Sequence, residues 1–207
     1  RTADFQFHLP VELVAQHPAV KRDQSRLLIL HRKSQQIEHR RFPDLLNYLC
    51  AGDVLVLNNS RVIPARLRGI NAKTNGKFEI LWLDENAKND WWAMMRPGKN
   101  ARIGTKIVLR DTNNAATEIV ATVLDTNTEG HRRLQFSGTT DIRRDLDPLG
   151  EVPLPPYIER QKQLPEDRER YQTVFADSDG SVAAPTAGLH FTRQLLEQIH
   201  GMGVKIC

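Results

Sequence analysis

His190 stands inside a run of small and hydroxyl residues, Ser181–Thr192, reading SVAAPTAGLHFT. A histidine titrates near neutrality and can take or give a proton during catalysis. The same residue can equally be a core histidine with a fixed tautomer. Around it, Ala183, Ala184, Ala187 and Gly188 are small, so backbone N–H groups in this run can approach a ligand closely, and Gly188 can adopt positive φ. Thr186 belongs to the same ligand-contacting candidates. Pro185 stiffens the turn, and Thr192 is placed to cap the helix that follows. A helix N-terminus there would favour a carboxylate or phosphate. The alternative is a tight loop packed under a helix. A second group, Asn58-Asn59-Ser60-Arg61, supplies hydrogen-bond donors and acceptors. Arg61 can hold a carboxylate or phosphate through paired hydrogen bonds, or make a structural ion pair. Tyr157, in Pro153–Ile158 (PLPPYI), offers an aromatic face that accepts a nucleobase, within what otherwise reads as a stiff polyproline-like strap. Tyr171 and Gln172 follow Arg168-Glu169-Arg170, where phosphate contact and a solvated helix face are both open readings.

These residues need elements to hold them. Asp53–Leu57 (DVLVL) is a continuous apolar run, predicted as a strand buried on both faces. It ends in Asn58–Arg61, and a polar loop at the carboxyl end of such a strand is a favoured ligand position in open α/β sheets. Arg26–His31 and Gln36–Arg41 flank a polar turn and predict a hairpin, carrying His31 and His39 in solvated or cross-strand roles. Residues 10–16 and Pro43–Leu49 predict short helices, the first begun by its own proline. The middle of the chain differs. Ala65–Ile70, Lys77–Leu83, Trp91–Met95, Lys106–Leu109, Thr117–Leu124 and Arg132–Phe136 read as short strands, punctuated by Asn75-Gly76, Pro97-Gly98, Asn113-Asn114 and Gly130. That rhythm predicts a small antiparallel barrel, with Asp141–Leu146 as a closing helix. Helical signals return at Glu166–Phe175 and Thr192–His200. The expected fold is an α/β main domain, a mixed sheet with flanking helices, over residues 1–64 and 149–207, with the barrel inserted at 65–148.

Composition narrows the classes. Apolar residues make up 40% of the chain and charged residues 26%, an ordinary soluble balance. No apolar run reaches the roughly 18 residues of a membrane span, and RTADFQFHLP does not read as a secretory signal. Cys50 and Cys207 lack zinc or disulfide spacing, so no metal is expected and a cytoplasmic location fits. A net charge of +4 is mild. It is compatible with an acidic partner such as nucleic acid; Arg40–Arg41, Arg66–Arg68 and His131–Arg133 are basic clusters that read equally as solvated surface. No GxGxxG, P-loop or deaminase signature is present.

Four stretches in collinear order, LNNSRVIPARL (57–67), EVPLPPYIER (151–160), DRERYQTVFA (167–176) and SVAAPTAGLHFT (181–192), with AQHP (15–18) and RPGK (96–99), resemble the S-adenosylmethionine:tRNA ribosyltransferase-isomerases of queuosine biosynthesis. The resemblance spans the chain. It implies a transferase and isomerase that moves the ribosyl part of S-adenosylmethionine onto 7-aminomethyl-7-deazaguanine at the tRNA wobble position. The product is epoxyqueuosine, with adenine and methionine released. S-adenosylmethionine is then a co-substrate, no separate cofactor is implied, and a monomer is expected. The sulfonium acidifies the adjacent ribose carbon, so a base, an attacking amine and an acid for adenine are required. His190 becomes the acid/base candidate. Asn58, Asn59, Ser60, Arg61, Tyr157, Thr186, Ala187, Gly188 and Thr192 become substrate-binding candidates, Arg61 for a methionine carboxylate or a phosphate. The family commonly reads Asn-Asp-Thr-Arg where this chain has Asn58–Arg61. The carboxylate is missing, but Asn59 still hydrogen-bonds a ribose hydroxyl or an adenine edge. Gly203–Cys207 looks like the opening of a strand that relatives continue. The 207-residue chain alone is therefore expected to expose an apolar sheet edge and to have little activity. Two alternatives stand beside this reading. A non-catalytic RNA-binding module would bind tRNA with steep salt dependence and consume no S-adenosylmethionine. A different nucleoside-modifying enzyme on the same scaffold would show itself by substrate profiling.

Overall fold

The computed structural model describes residues 1–160 and 163–207. They fall into two compact units: residues 1–59, 154–177 and 185–207 in the first, 60–153 and 178–184 in the second.

In the first unit, β1 (Arg26–His31) and β2 (Gln36–Arg41) form an antiparallel hairpin, registered from Arg26 opposite Arg41 to His31 opposite Gln36. Gln35 closes the turn at φ 59° and donates its N–H to the His31 carbonyl at 2.7 Å. His31 takes a cross-strand role, its Nε2 lying 2.6 Å from Glu38 Oε1. A 3-10 helix over Phe42–Tyr48 follows, begun by Pro43 and by Asp44 accepting the Arg41 N–H at 2.8 Å. The helix predicted at 10–16 is a single 3-10 turn, Val11–Leu13.

β3 (Val54–Leu55) corrects the expectation for Asp53–Leu57. It pairs in parallel with a short strand near the end of the chain, Lys205–Ile206, and the two make a two-stranded sheet among the described residues. Leu55 and Leu57 pack inward, whereas Val54 and Val56 are 56% and 75% exposed. One face of this pair is covered and the other is not, so the apolar run reflects the sequence without burial on both sides. The inward face meets Phe42, Phe191, Leu195, Ile199 and Val204, the core of the unit.

The second unit opens with β4 (Ser60–Val62) and contains the barrel. β5 (Arg66–Asn71), β6 (Lys77–Ala87), β7 (Asp90–Arg96), β8 (Lys106–Arg110), β9 (Ala116–Thr126) and β10 (Arg132–Ser137) are antiparallel, in the order β5-β6-β7-β10-β9-β8. A further β5–β8 pairing closes the circle, so these strands have no free edge. The alternation that predicted them is what folds them. Phe78, Ile80 and Trp82 of β6 turn inward while Lys77, Glu79 and Leu81 turn outward, as a period of two requires. Trp82 and Trp91 stack at 4.3 Å between ring centroids inside the barrel. At the seam, a β-carbon on Gly69 would collide with Ile107 Cγ2 and come within 3.0 Å of the Val108 carbonyl, so β5 and β8 approach this closely because position 69 is bare.

The closing helix predicted at Asp141–Leu146 comes later, as α1 (Leu146–Leu149), preceded by turns. Thr139 Oγ1 accepts the Asp141 N–H at 3.0 Å and Asp141 Oδ1 the Arg143 N–H at 3.1 Å. Such local side-chain bonds compete with helix. β11 (Gly150–Glu151) then pairs with β5. α2 (Pro165–Arg170), in the first unit, is shorter than the predicted Glu166–Phe175. β12 (Ser178–Ser181), unforeseen in the sequence, pairs in parallel with β4. α3 (Arg193–Gly201) and β13, the Lys205–Ile206 strand already met, complete the chain.

Candidate functional site

A cavity of about 170 Å³ lies within the first unit. Its wall draws on separated stretches of chain: Gln16 and Pro18; Leu154, Pro155, Tyr157, Ile158 and Arg160; Asp167, Arg170 and Tyr171; and Thr186 with Leu189. Three of the four motif stretches, together with AQHP, therefore meet here. Gln16 ties two of them. Its Nε2 donates to the Tyr157 carbonyl at 3.0 Å, and its Oε1 accepts the Glu159 N–H at 2.7 Å. Arg160 donates to the Gln16 carbonyl at 2.7 Å and reaches buried Asp167 at 3.4 Å. Asp167 in turn accepts the Leu164 N–H at 2.9 Å, which starts α2. Arg170 donates to the carbonyls of Ala19 and Val20 at 2.5 and 2.9 Å.

Arg22 performs the last tie, and no local sequence signal pointed to it. Its guanidinium donates to the carbonyls of Glu169 (2.8 Å), Leu189 (3.3 Å) and Arg170 (3.4 Å). Two of those carbonyls are among the acceptors that the end of α2 leaves without a partner inside the helix, and Arg22 satisfies them. Burial lowers the Arg22 pKa, the like charge of Arg170 lowers it further, and Glu169 opposes both. With these charged groups spent on the scaffold, the wall that remains is mainly apolar. Pro18, Leu154, Pro155, Ile158 and Leu189 line it together with Tyr157, Tyr171 and Thr186. A mainly apolar slot with aromatic and hydroxyl-bearing residues in its wall suits a flat heteroaromatic ligand.

Tyr157 is 58% exposed at the tip of a turn in which the Ile158 N–H bonds the Pro155 carbonyl at 3.0 Å. The expected polyproline-like strap thus bends at Pro155–Ile158, since proline at the start of a turn already has the required φ.

In Ser181–Thr192, Thr186–His190 forms a 3-10 turn. Thr186 lines the cavity and Ala187 is exposed beside it. Gly188 is buried and has no positive φ, contrary to one expectation. It is bare for packing: a β-carbon would sit 2.9 Å from both Thr173 Cγ2 and Phe175 Cζ. The His190 ring is half-buried and tilted 39° against Phe42, with centroids 5.2 Å apart. It follows Leu189 but is not itself in the cavity wall. Thr192 caps α3, its Oγ1 accepting the Leu195 N–H at 3.1 Å.

The remaining candidates lie elsewhere. Asn58 and Asn59 are exposed residues of the first unit, and the Asn59 carbonyl accepts the Asp177 N–H at 2.9 Å. Ser60 and Arg61 begin β4 of the second unit, where Arg61 Nε lies 3.5 Å from Asp179 Oδ1 with both side chains largely in solvent. Exposed pairs of this kind contribute little to stability. Among the described residues, no group of three or more His, Cys, Asp or Glu is placed to hold a metal ion, and no helix is long and apolar enough to cross a membrane.

Residues 2–207 match the family model described as "Queuosine biosynthesis protein". Among solved structures, the S-adenosylmethionine tRNA ribosyltransferase of Thermotoga maritima is 33% identical over 99% of this chain, with a TM-score of 0.38. The chain spans 56% of the length of that relative.

Proposed function

The chain belongs to the queuosine biosynthesis protein family, and from that premise we propose that it forms part of an enzyme that transfers and isomerises the ribosyl unit of S-adenosylmethionine onto 7-aminomethyl-7-deazaguanine at the wobble position of tRNA. The observation that carries the reading is the apolar slot on which AQHP and three of the motif stretches converge. The name of the Thermotoga relative, a third of whose matched residues are identical, supports the same substrate pair.

The reaction asks for few groups. A base removes the ribose proton next to the sulfonium, the aminomethyl nitrogen attacks, and adenine leaves with a proton as methionine departs. In this reading Tyr157 stacks on a base, Thr186 holds a ribose hydroxyl, and His190 moves a proton. Ala187 and Gly188 let the backbone approach. Thr192 supports them by holding α3 in place. Asn58, Asn59, Ser60 and Arg61 bind polar parts of the substrates, Arg61 a carboxylate or phosphate. The product is epoxyqueuosine in tRNA.

The test is to incubate the intact protein with S-adenosylmethionine and precursor-bearing tRNA and follow adenine by chromatography. Adenine release that requires both substrates is the expected result. Binding of tRNA with no consumption of S-adenosylmethionine would sink the enzyme reading and leave an RNA-binding module.

A further inference from the structure

We propose that the outer face of the barrel, across the β7-β6-β5-β8 seam, is a docking site for the phosphate backbone of the tRNA; this rests on the tRNA reading above. The register places four charged residues in one row. Arg96 of β7 lies opposite Glu79 of β6, Glu79 opposite Arg68 of β5, and Arg68 opposite Arg110 of β8. Directly paired residues project to the same side, and the neighbours of these four, Met95, Ile80, Leu67 and Leu109, fill the interior, so the row faces outward. Lys77 stands on the same face of β6, two residues before Glu79. Together they line a cavity of about 370 Å³.

Charge is in excess here. Arg68 is taken by Glu151, with two hydrogen bonds of 2.8 Å. Arg96 and Lys77 have no carboxylate within ion-pair distance among the described residues, and Arg110 meets only the Asn114 carbonyl, at 2.8 Å, its Nε buried without a partner. Arg68 and Arg110 face each other directly, an arrangement that destabilises a sheet when nothing lies between the charges. Glu79, opposite Arg96 and Arg68 and 3.8 Å from Arg66, offsets part of this charge; the positive charge left on Arg96, Lys77 and Arg110 suits a polyanion laid along the row. At about 4.8 Å per strand the row extends some 14 Å, too long for one phosphate ion and suited to consecutive phosphates of a strand. The site reads no base, since phosphate contacts position and do not specify.

The test is tRNA binding by the intact protein across a salt series. Arg96→Gln and Lys77→Gln, both at exposed positions, are expected to weaken tRNA about three- to tenfold each at low salt, and to flatten the plot of log affinity against log salt by about 0.7 to 1 per charge removed. Glu79→Gln, which removes the one carboxylate in the row, is expected to tighten binding. That opposite sign cannot come from misfolding. If the wild-type protein binds tRNA and releases adenine while the variants keep its affinity and slope, the docking proposal fails and the enzyme reading stands. If the wild-type protein binds no tRNA, both fail. If the variants lose affinity for phosphatidylserine vesicles but not for tRNA, the face is a lipid-headgroup site and the proposal is wrong.

Discussion

Gly188 has no room for a β-carbon, and Gly188→Ala is expected to destabilise the protein by about 1–3 kcal/mol, because Thr173 and Phe175 must give way. A urea titration measures this. Thr192→Ala is expected to lose about 1 kcal/mol by removing the cap of α3, and Thr192→Ser to restore it. His190 differs. If its ring moves a proton, His190→Asn lowers single-turnover adenine release about a hundredfold or more while the melting temperature falls only by what the lost Phe42 contact contributes. Activity and melting that fall in step would make it a packing residue. The small residues and the cap were legible at 181–192, because both follow from local chain chemistry. That Gly188 serves Thr173 and Phe175 was not, because the partners lie more than ten residues away in sequence. Arg22 is the same case: its partners are carbonyls of distant segments, which no side-chain pattern announces.

At the scale of elements, the barrel strands were readable because each alternates inward and outward and ends at a turn former. Asn75, Asn89 and Asn114 take positive φ at those turns. The Asp53–Leu57 run misled because continuous hydrophobicity reports what a segment could bury, not what covers it. Within the barrel, Asp90 is 5% exposed and accepts hydrogen bonds from Arg133 Nε and Nη2 at 2.9 and 2.6 Å and from Asn86 at 3.0 Å. Bonding to Arg133, with Asn86 adding to it, holds its carboxyl below the usual carboxylate range despite burial. The folded pKa is thus below the unfolded one near 4. The pair's stabilisation is present above about pH 4 and is lost as pH falls through the lowered value. Urea midpoints followed into acid are expected to show that loss, and Asp90→Asn to start from lower stability with a shallower acid slope. An unchanged slope would remove Asp90 from the account.

For the whole molecule, three of the motif stretches change unit partway: LNNSRVIPARL after Asn59, EVPLPPYIER after Pro153 and SVAAPTAGLHFT after Ala184. That explains why collinear motifs identified the family more readily than they located a site. Sequence order was sufficient for the first, while only the fold shows that Gln16, Tyr157, Arg170 and Thr186 line one slot. The central claim is chemical: the ribosyl carbons of S-adenosylmethionine end up in tRNA. The direct measurement uses S-adenosylmethionine labelled in its ribose carbons, the intact protein and precursor-bearing tRNA, followed by nucleoside digestion and mass spectrometry. The account predicts the full ribose label in the modified deazaguanosine, in step with adenine released. Adenine released with the label left in a free ribosyl product, and an unlabelled tRNA nucleoside, would contradict it.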